Sequence, residues 1–220
     1  MSHRSVLSQA VLLASLVSSY PALAASGPVL EPNTQKFLDG LVQAHVPAIS
    51  SLSPTDARNL LDNAQKSTLG SLPPGEANDK VLNVGPTGKT RIRIDRPEGA
   101  KGPLPAIVYF HGAGWMMGDP STHDRLVREL ANGSHAVVIF VDYERSPEAR
   151  YPVAIEQDYA VLKYVAEHPQ EFQIDSNRIA TAGDSVGGNM VAVVSQPQGA
   201  SGTDARGATL VLSRHRRRYE

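Results

Sequence analysis

Two uninterrupted apolar runs, Ala106–Phe110 and Ala136–Val141, constrain this chain more than any other feature of its sequence. Each is too short for an ordinary helix. Neither shows the polar–apolar alternation of a strand with one wet face, so both read as strands buried on both sides. Between them, Thr122–Asn132 has helical spacing, with Leu126, Val127 and Leu130 on one side and Gly133 just after. A strand, a helix and a second buried strand form a crossover unit, and crossovers of that kind join parallel neighbours. The pattern then repeats. Pro152 opens a longer helix with Ile155, Tyr159, Leu162 and Val165 in one stripe, Arg178–Ala182 reads as a third core strand, and another helix is expected from about Val186. The expected fold class is therefore α/β, a mostly parallel sheet with helices on both faces.

Ahead of this alternation the sequence reads differently. Asn33–His45 carries Phe37, Leu38, Leu41 and Val42 at helical spacing, and Ser53 is placed to cap a second helix with Pro54 in its first turn. Gly70–Gly88, rich in Gly, Pro and Asn, reads as a surface connection, and Thr90–Ile94 as a strand with one exposed face. At the start, His3 and Arg4 precede a brief apolar core, Val11–Val17, then Pro21 and the triplet Ala22-Leu23-Ala24. That layout is a secretory signal peptide, with export and a mature chain from about Ala25. The apolar core is well short of the ~20 residues a membrane-spanning helix needs, and no other segment could span a membrane. The expected boundaries are 1–24 for the signal, 25–89 for an N-terminal helical segment, 90–194 for the α/β core and 195–220 for an irregular tail.

Composition closes several routes. The 220 residues contain no cysteine, which excludes disulfides, thiolate catalysis and Cys-ligated zinc. None of the seven histidines lies in an H-E-x-x-H arrangement, so no metal site is expected. A formal net charge of −1 gives no reason to expect nucleic acid as a partner.

The chemistry is concentrated in two loops. Gly183-Asp184-Ser185-Val186-Gly187 is a G-x-S-x-G pattern between an expected strand and an expected helix. Such a turn strains the serine backbone, lifts its hydroxyl above the sheet, and places the Val186 N–H at a helix start where the dipole favours a developing oxyanion. A Gly-rich turn packed for its own sake would carry the same letters, so the strand–helix context is what favours Ser185 as a nucleophile. The second loop, His111-Gly112-Ala113-Gly114-Trp115, follows directly on the buried strand ending at Phe110. The Ala113 and Gly114 N–H groups, with that of Val186, are the expected oxyanion donors, each worth about 3 kcal/mol in the transition state of an acyl transfer. His111 reads as the residue that orients this loop rather than as a base, with Gly112, Gly183, Asp184 and Gly187 in support.

These two loops, together with Asp142-Tyr143-Glu-Arg-Ser-Pro147-Glu148-Ala-Arg-Tyr151-Pro152 and the continuation Gly188-Asn189, closely resemble the hormone-sensitive-lipase-like esterases, in order and spacing as well as in residues. The resemblance runs from about Thr90 to Val194. It implies an α/β-hydrolase fold, no cofactor, and hydrolysis of small-molecule esters with short to medium acyl chains. It also implies a cap role for Asn33–Gln65 and a structural one for Asp142, Pro147 and Glu148. Ala113 replaces the middle glycine of the oxyanion loop, a change of little weight because the donor is a backbone N–H.

A serine needs a histidine base, itself oriented by a carboxylate, and in this fold the order along the chain is Ser, acid, His. After Ser185 come two acids, Asp204 and Glu220, and one histidine, His215, which sits among Arg214, Arg216, Arg217 and Arg218. Neighbouring positive charge disfavours an imidazolium, so His215 is a poor base. In the resembled family the acid and base lie further on, so a core incomplete at its C-terminus and little or no turnover are expected. The stretch from Ser195 also fits an out-of-frame translation: Ser213–Arg217 read one base later can encode Pro-Val-Thr-Asp-Ala, which the family often carries after this strand.

Overall fold

The structure is a computed structural model and describes residues 29–68, 70–195 and 209–212. The segment read as a signal peptide lies outside the described residues, as do Asp204, His215 and Glu220. The chain divides into two compact units, Met1–Ala48 and Ile49–Glu220. In the first, helix α1 spans Pro32–Gln43, and the Glu31 carboxylate caps it by accepting the Thr34 N–H at 3.0 Å.

The second unit begins with a short 3-10 turn, Ile49–Ser51, and helix α2, Pro54–Thr68. Ser53 caps α2 as its sequence implies, its Oγ accepting the Asp56 N–H at 3.1 Å. Strands β1 (Glu76–Leu82), β2 (Thr90–Arg96) and β3 (Leu104–Phe110) follow, then helix α3 (Asp124–Ser134), β4 (Val137–Asp142), helix α4 (Val153–Glu167), β5 (Ile174–Asp184), helix α5 (Val186–Val194) and β6 (Thr209–Leu212). The sheet order is β1-β2-β4-β3-β5-β6. β1 and β2 enter antiparallel; β4, β3, β5 and β6 are parallel.

The two apolar runs are the two innermost strands of this order, and their alternate residues feed separate cores. Val108 and Phe110 of β3 join Val137, Ile139 and Val141 of β4 under α4 and α5, where Val161, Val165, Met190 and Val191 close the layer. Tyr109, Val138 and Phe140 point the other way and meet Val127 and Ala131 of α3. With no wet side, the strands have no reason to alternate. Each fully buried Val, Ile or Phe contributes about 1.5–3 kcal/mol by removal from water, so this double layer dominates the fold.

Three expectations need correction. Gly70–Gly88 is not only a connection: β1 lies within it, pairing Glu76 with Arg96 through to Leu82 with Thr90. Its sequence, Glu-Ala-Asn-Asp-Lys-Val-Leu, hides the strand because it is an edge with only Leu82 buried. In the helices, Leu126 and Tyr159 are exposed, at 41% and 36% of their surface. α3 faces the sheet with Val127 and Ala131 instead, and α4 buries Gln157 and Asp158 beside Val161 and Val165. Within the stretch read as irregular, Thr209–Leu212 forms a strand parallel to β5; its Thr-Leu-Val-Leu run was short and stood next to the arginines.

Candidate active site

β3 and β5 are neighbours, but the chain leaving β3 goes on to β4 on one side and the chain leaving β5 goes on to β6 on the other, so the two connections diverge. Crevices for ligands open at such a switch point. The loops after β3 and β5 are the two that carry the sequence motifs.

The turn after β5 has the conformation its letters require. Ser185 sits at φ 53° and ψ −118°, between β5 and the first residue of α5, Val186. A non-glycine residue held there is strained, and strain of this kind persists only where surrounding structure enforces it. The enforcement is visible in the glycines. A Cβ on Gly187 would lie 1.9 Å from the Phe110 carbonyl oxygen, and one on Gly183 would lie 2.6 Å from the same atom. Helix α5 therefore approaches β3 at backbone contact distance, and Ser185, itself exposed, is pushed outward.

The loop after β3 is strained as well. Ala113, Gly114 and Trp115 all have positive φ, at 74°, 69° and 58°. The Ala113 and Gly114 N–H groups have no acceptor among the described residues, and the Val186 N–H belongs to the first, unsatisfied turn of α5. The loop closes on itself through the Met117 N–H and the Ala113 carbonyl at 3.1 Å.

Asp184 joins the two loops. Its Oδ1 accepts the Gly112 N–H at 2.8 Å and the Tyr109 hydroxyl at 2.8 Å. His123 Nε2 stands 3.6 Å from the same oxygen, an ion-pair distance rather than a hydrogen bond. Burial pushes the Asp184 carboxyl up, but His123, Tyr109 and the Gly112 N–H together outweigh it and hold the group down at about 2. A Cβ on Gly112 would meet an Asp184 carboxylate oxygen at 2.1 Å, which is why glycine stands there.

His111 is fully buried, its ring stacked on Tyr143 at 4.1 Å and on Phe140 at 5.1 Å. Its Nδ1 lies 3.0 Å from the Gly112 carbonyl, and the Tyr143 hydroxyl donates to the His111 carbonyl at 2.9 Å. Burial, with His123 close by, lowers its pKa to about 3. Among the described residues neither His111 nor His123 hydrogen-bonds to Ser185, and the Ser185 hydroxyl has no hydrogen-bond partner.

Beside these loops lies a cavity of 380 Å³ whose walls include Gly114, Trp115, Ser146, Ala149, Ile155 and Asn189. The sequence did not reveal it, because its walls come from the loop after β3, the segment before α4, and α4 and α5 themselves. No group of three or more His, Asp or Glu side chains among the described residues could hold a metal ion. No helix among them is long and apolar enough to cross a membrane.

A strained serine elbow and an open Gly/Ala loop, side by side at the carboxyl ends of adjacent parallel strands, define the α/β-hydrolase class. A family model described as alpha/beta hydrolase fold matches residues 107–214. The esterase LipI of Mycobacterium tuberculosis is 45% identical over 114 residues, covering 51% of this chain and 36% of that protein. A putative alpha/beta hydrolase of Acanthamoeba polyphaga mimivirus is 36% identical over 169 residues, covering 75% of this chain and 46% of its own length. The crystal structure of a thermostable esterase from Pseudomonas putida superposes with a TM-score of 0.73 at 44% identity, over 77% of this chain and 53% of that one. The chain thus spans about half or less of each of these proteins. It belongs to the α/β-hydrolase superfamily, in its hormone-sensitive-lipase-like family of esterases.

Proposed function

We propose that this chain carries the nucleophile and oxyanion half of a serine carboxylic-ester hydrolase. Ser185 Oγ attacks the ester carbonyl, and the N–H groups of Ala113, Gly114 and Val186 hold the oxyanion that forms. His111, Gly112, Gly183, Asp184 and Gly187 keep the two loops in place. The cavity beside Trp115 and Ile155 takes an apolar part of a small-molecule ester of short to medium acyl length. The observation that carries this reading is the pair of N–H groups, Ala113 and Gly114, without an acceptor among the described residues, in a loop tied at 2.8 Å to the residue before Ser185.

Turnover by the 220-residue chain is proposed to be low. Among the described residues no base touches Ser185, and an oxyanion hole without its base keeps only a small part of the rate. We also propose export, on the signal-like sequence of residues 1–24. That no base touches Ser185 among the described residues supports a second reading, a scaffold that binds esters without cleaving them.

Hydrolysis of a short-chain nitrophenyl ester by the purified chain, with Ser185→Ala alongside, tests both readings. Turnover lost in the alanine variant supports the hydrolase. Ester binding with no turnover above that variant supports the binding scaffold, and neither binding nor turnover overturns both.

A further inference from the structure

We propose that Arg58 is a positioning residue for the cavity beside Ser185, setting the spacing of two of its walls. Arg58 projects from α2, and its side chain is only 18% exposed. Its Nε donates to the Met116 carbonyl at 2.8 Å and its Nη2 to the Ser146 carbonyl at 2.8 Å. Nη1 and Nη2 also grip both Glu148 oxygens, at 2.8 and 2.7 Å. One guanidinium thus holds the segment after the oxyanion loop and the segment before α4 together.

Both segments contribute residues to the lining of the cavity. Trp115, next to Met116, lines it from the first segment; Ser146 and Ala149, on either side of Glu148, line it from the second. Among the described residues, two further hydrogen bonds join them: the Ser146 N–H to the Trp115 carbonyl at 2.8 Å, and Arg145 to the Gly118 carbonyl at 2.6 Å. The planar fork of arginine suits this task, because it meets a carboxylate with two donors and still reaches two carbonyls. A lysine has one rotatable ammonium and cannot hold all four acceptors.

The cavity's role in ester binding rests on the hydrolase reading above, whereas the bracing does not. Trp115 is the only tryptophan in the chain, so its fluorescence reports this wall directly. The test uses the full chain with Arg58→Met and Arg58→Lys. Acrylamide quenching of Trp115 reads how well the wall is held, below the melting transition of each variant. In a Ser185→Ala background, titration with nitrophenyl butyrate reads binding by Trp115 quenching without turnover.

The methionine variant is expected to raise the quenching constant about twofold by loosening the segment. Loss of these charge-assisted bonds is expected to weaken ester binding about tenfold. The lysine variant should fall between. A merely structural role would lower the melting temperature and leave both readouts where they were in the folded protein, and that outcome overturns the proposal. If the methionine variant does not fold, the lysine variant decides by the same readouts. If no ester binds even with Arg58 in place, the hydrolase reading fails, and the quenching comparison still decides whether Arg58 braces the wall.

Discussion

The Gly112 N–H donates to the Asp184 carboxylate at 2.8 Å, and through that bond the loop after β3 is fastened to the turn that carries Ser185. The Tyr109 hydroxyl, fully buried, leans on the same oxygen. Asp184→Ala leaves both donors without an acceptor, at about 1–3 kcal/mol each. Thermal melting of the variant should show a fall of several degrees. Asp184→Asn keeps an acceptor oxygen and should lose clearly less; equal losses for the two would count against the bond as the cause.

Gly187 and Gly133 make a matched pair of opposite sign. Alanine at Gly187 would drive its Cβ to 1.9 Å from the Phe110 carbonyl oxygen, backbone against backbone, and the variant is expected to lose more than about 3 kcal/mol or not to fold. Alanine at Gly133 meets nothing within 4 Å, lies in helix α3, and should gain about 0.5–1 kcal/mol. Chemical denaturation of both variants checks the contrast.

Asp95 of β2 is 2% exposed and neither of its carboxylate oxygens has a hydrogen bond. Burial raises its pKa to about 6, against partial relief from Arg128 and Arg93 and further repulsion from Asp124 and Asp79. A raised acid favours the protonated folded state. Its contribution is fully present below the unfolded value near 4 and is lost as pH rises through about 6. Asp95→Asn should therefore raise the melting temperature at pH 7 more than at pH 4. A shift independent of pH would be the wrong result.

Tyr143 donates to the His111 carbonyl at 2.9 Å, at the start of the loop after β3. Tyr143→Phe keeps the ring stacked on His111 and removes only that donor. It should cost about 1–2 kcal/mol, measured by denaturant titration.

The sequence made the core readable because burial on both faces leaves a plain signature, and β3 and β4 carry it without a break. It made Ser185 readable because few backbones can hold a side chain at that angle, and glycines must stand where two backbones touch. Other features left no such trace. β1 is an edge of charged and polar residues, and its partner is known only once β2 is placed. Gln157 lies outside the apolar stripe read in α4, yet it is fully buried and its Oε1 takes the Glu144 N–H at 2.8 Å. Arg58 is one arginine among many in the sequence; its four acceptors lie far along the chain, and spacing cannot point to them.

The pairing of Phe110 with Gly183 has a further consequence, for assembly. Ser185 and the Ala113–Gly114 loop are far apart along the chain and become neighbours only when β5 docks beside β3 in that register. A slip of one residue would reverse every side chain's face and set Ala182 or Asp184 in place of Gly183 against the Phe110 carbonyl, where a Cβ would lie 2.6 Å from the oxygen. The site thus serves as its own proofreader: the hydroxyl and the loop amides are brought to one end of the sheet by the same register that lets Gly183 and Gly187 pass the Phe110 carbonyl.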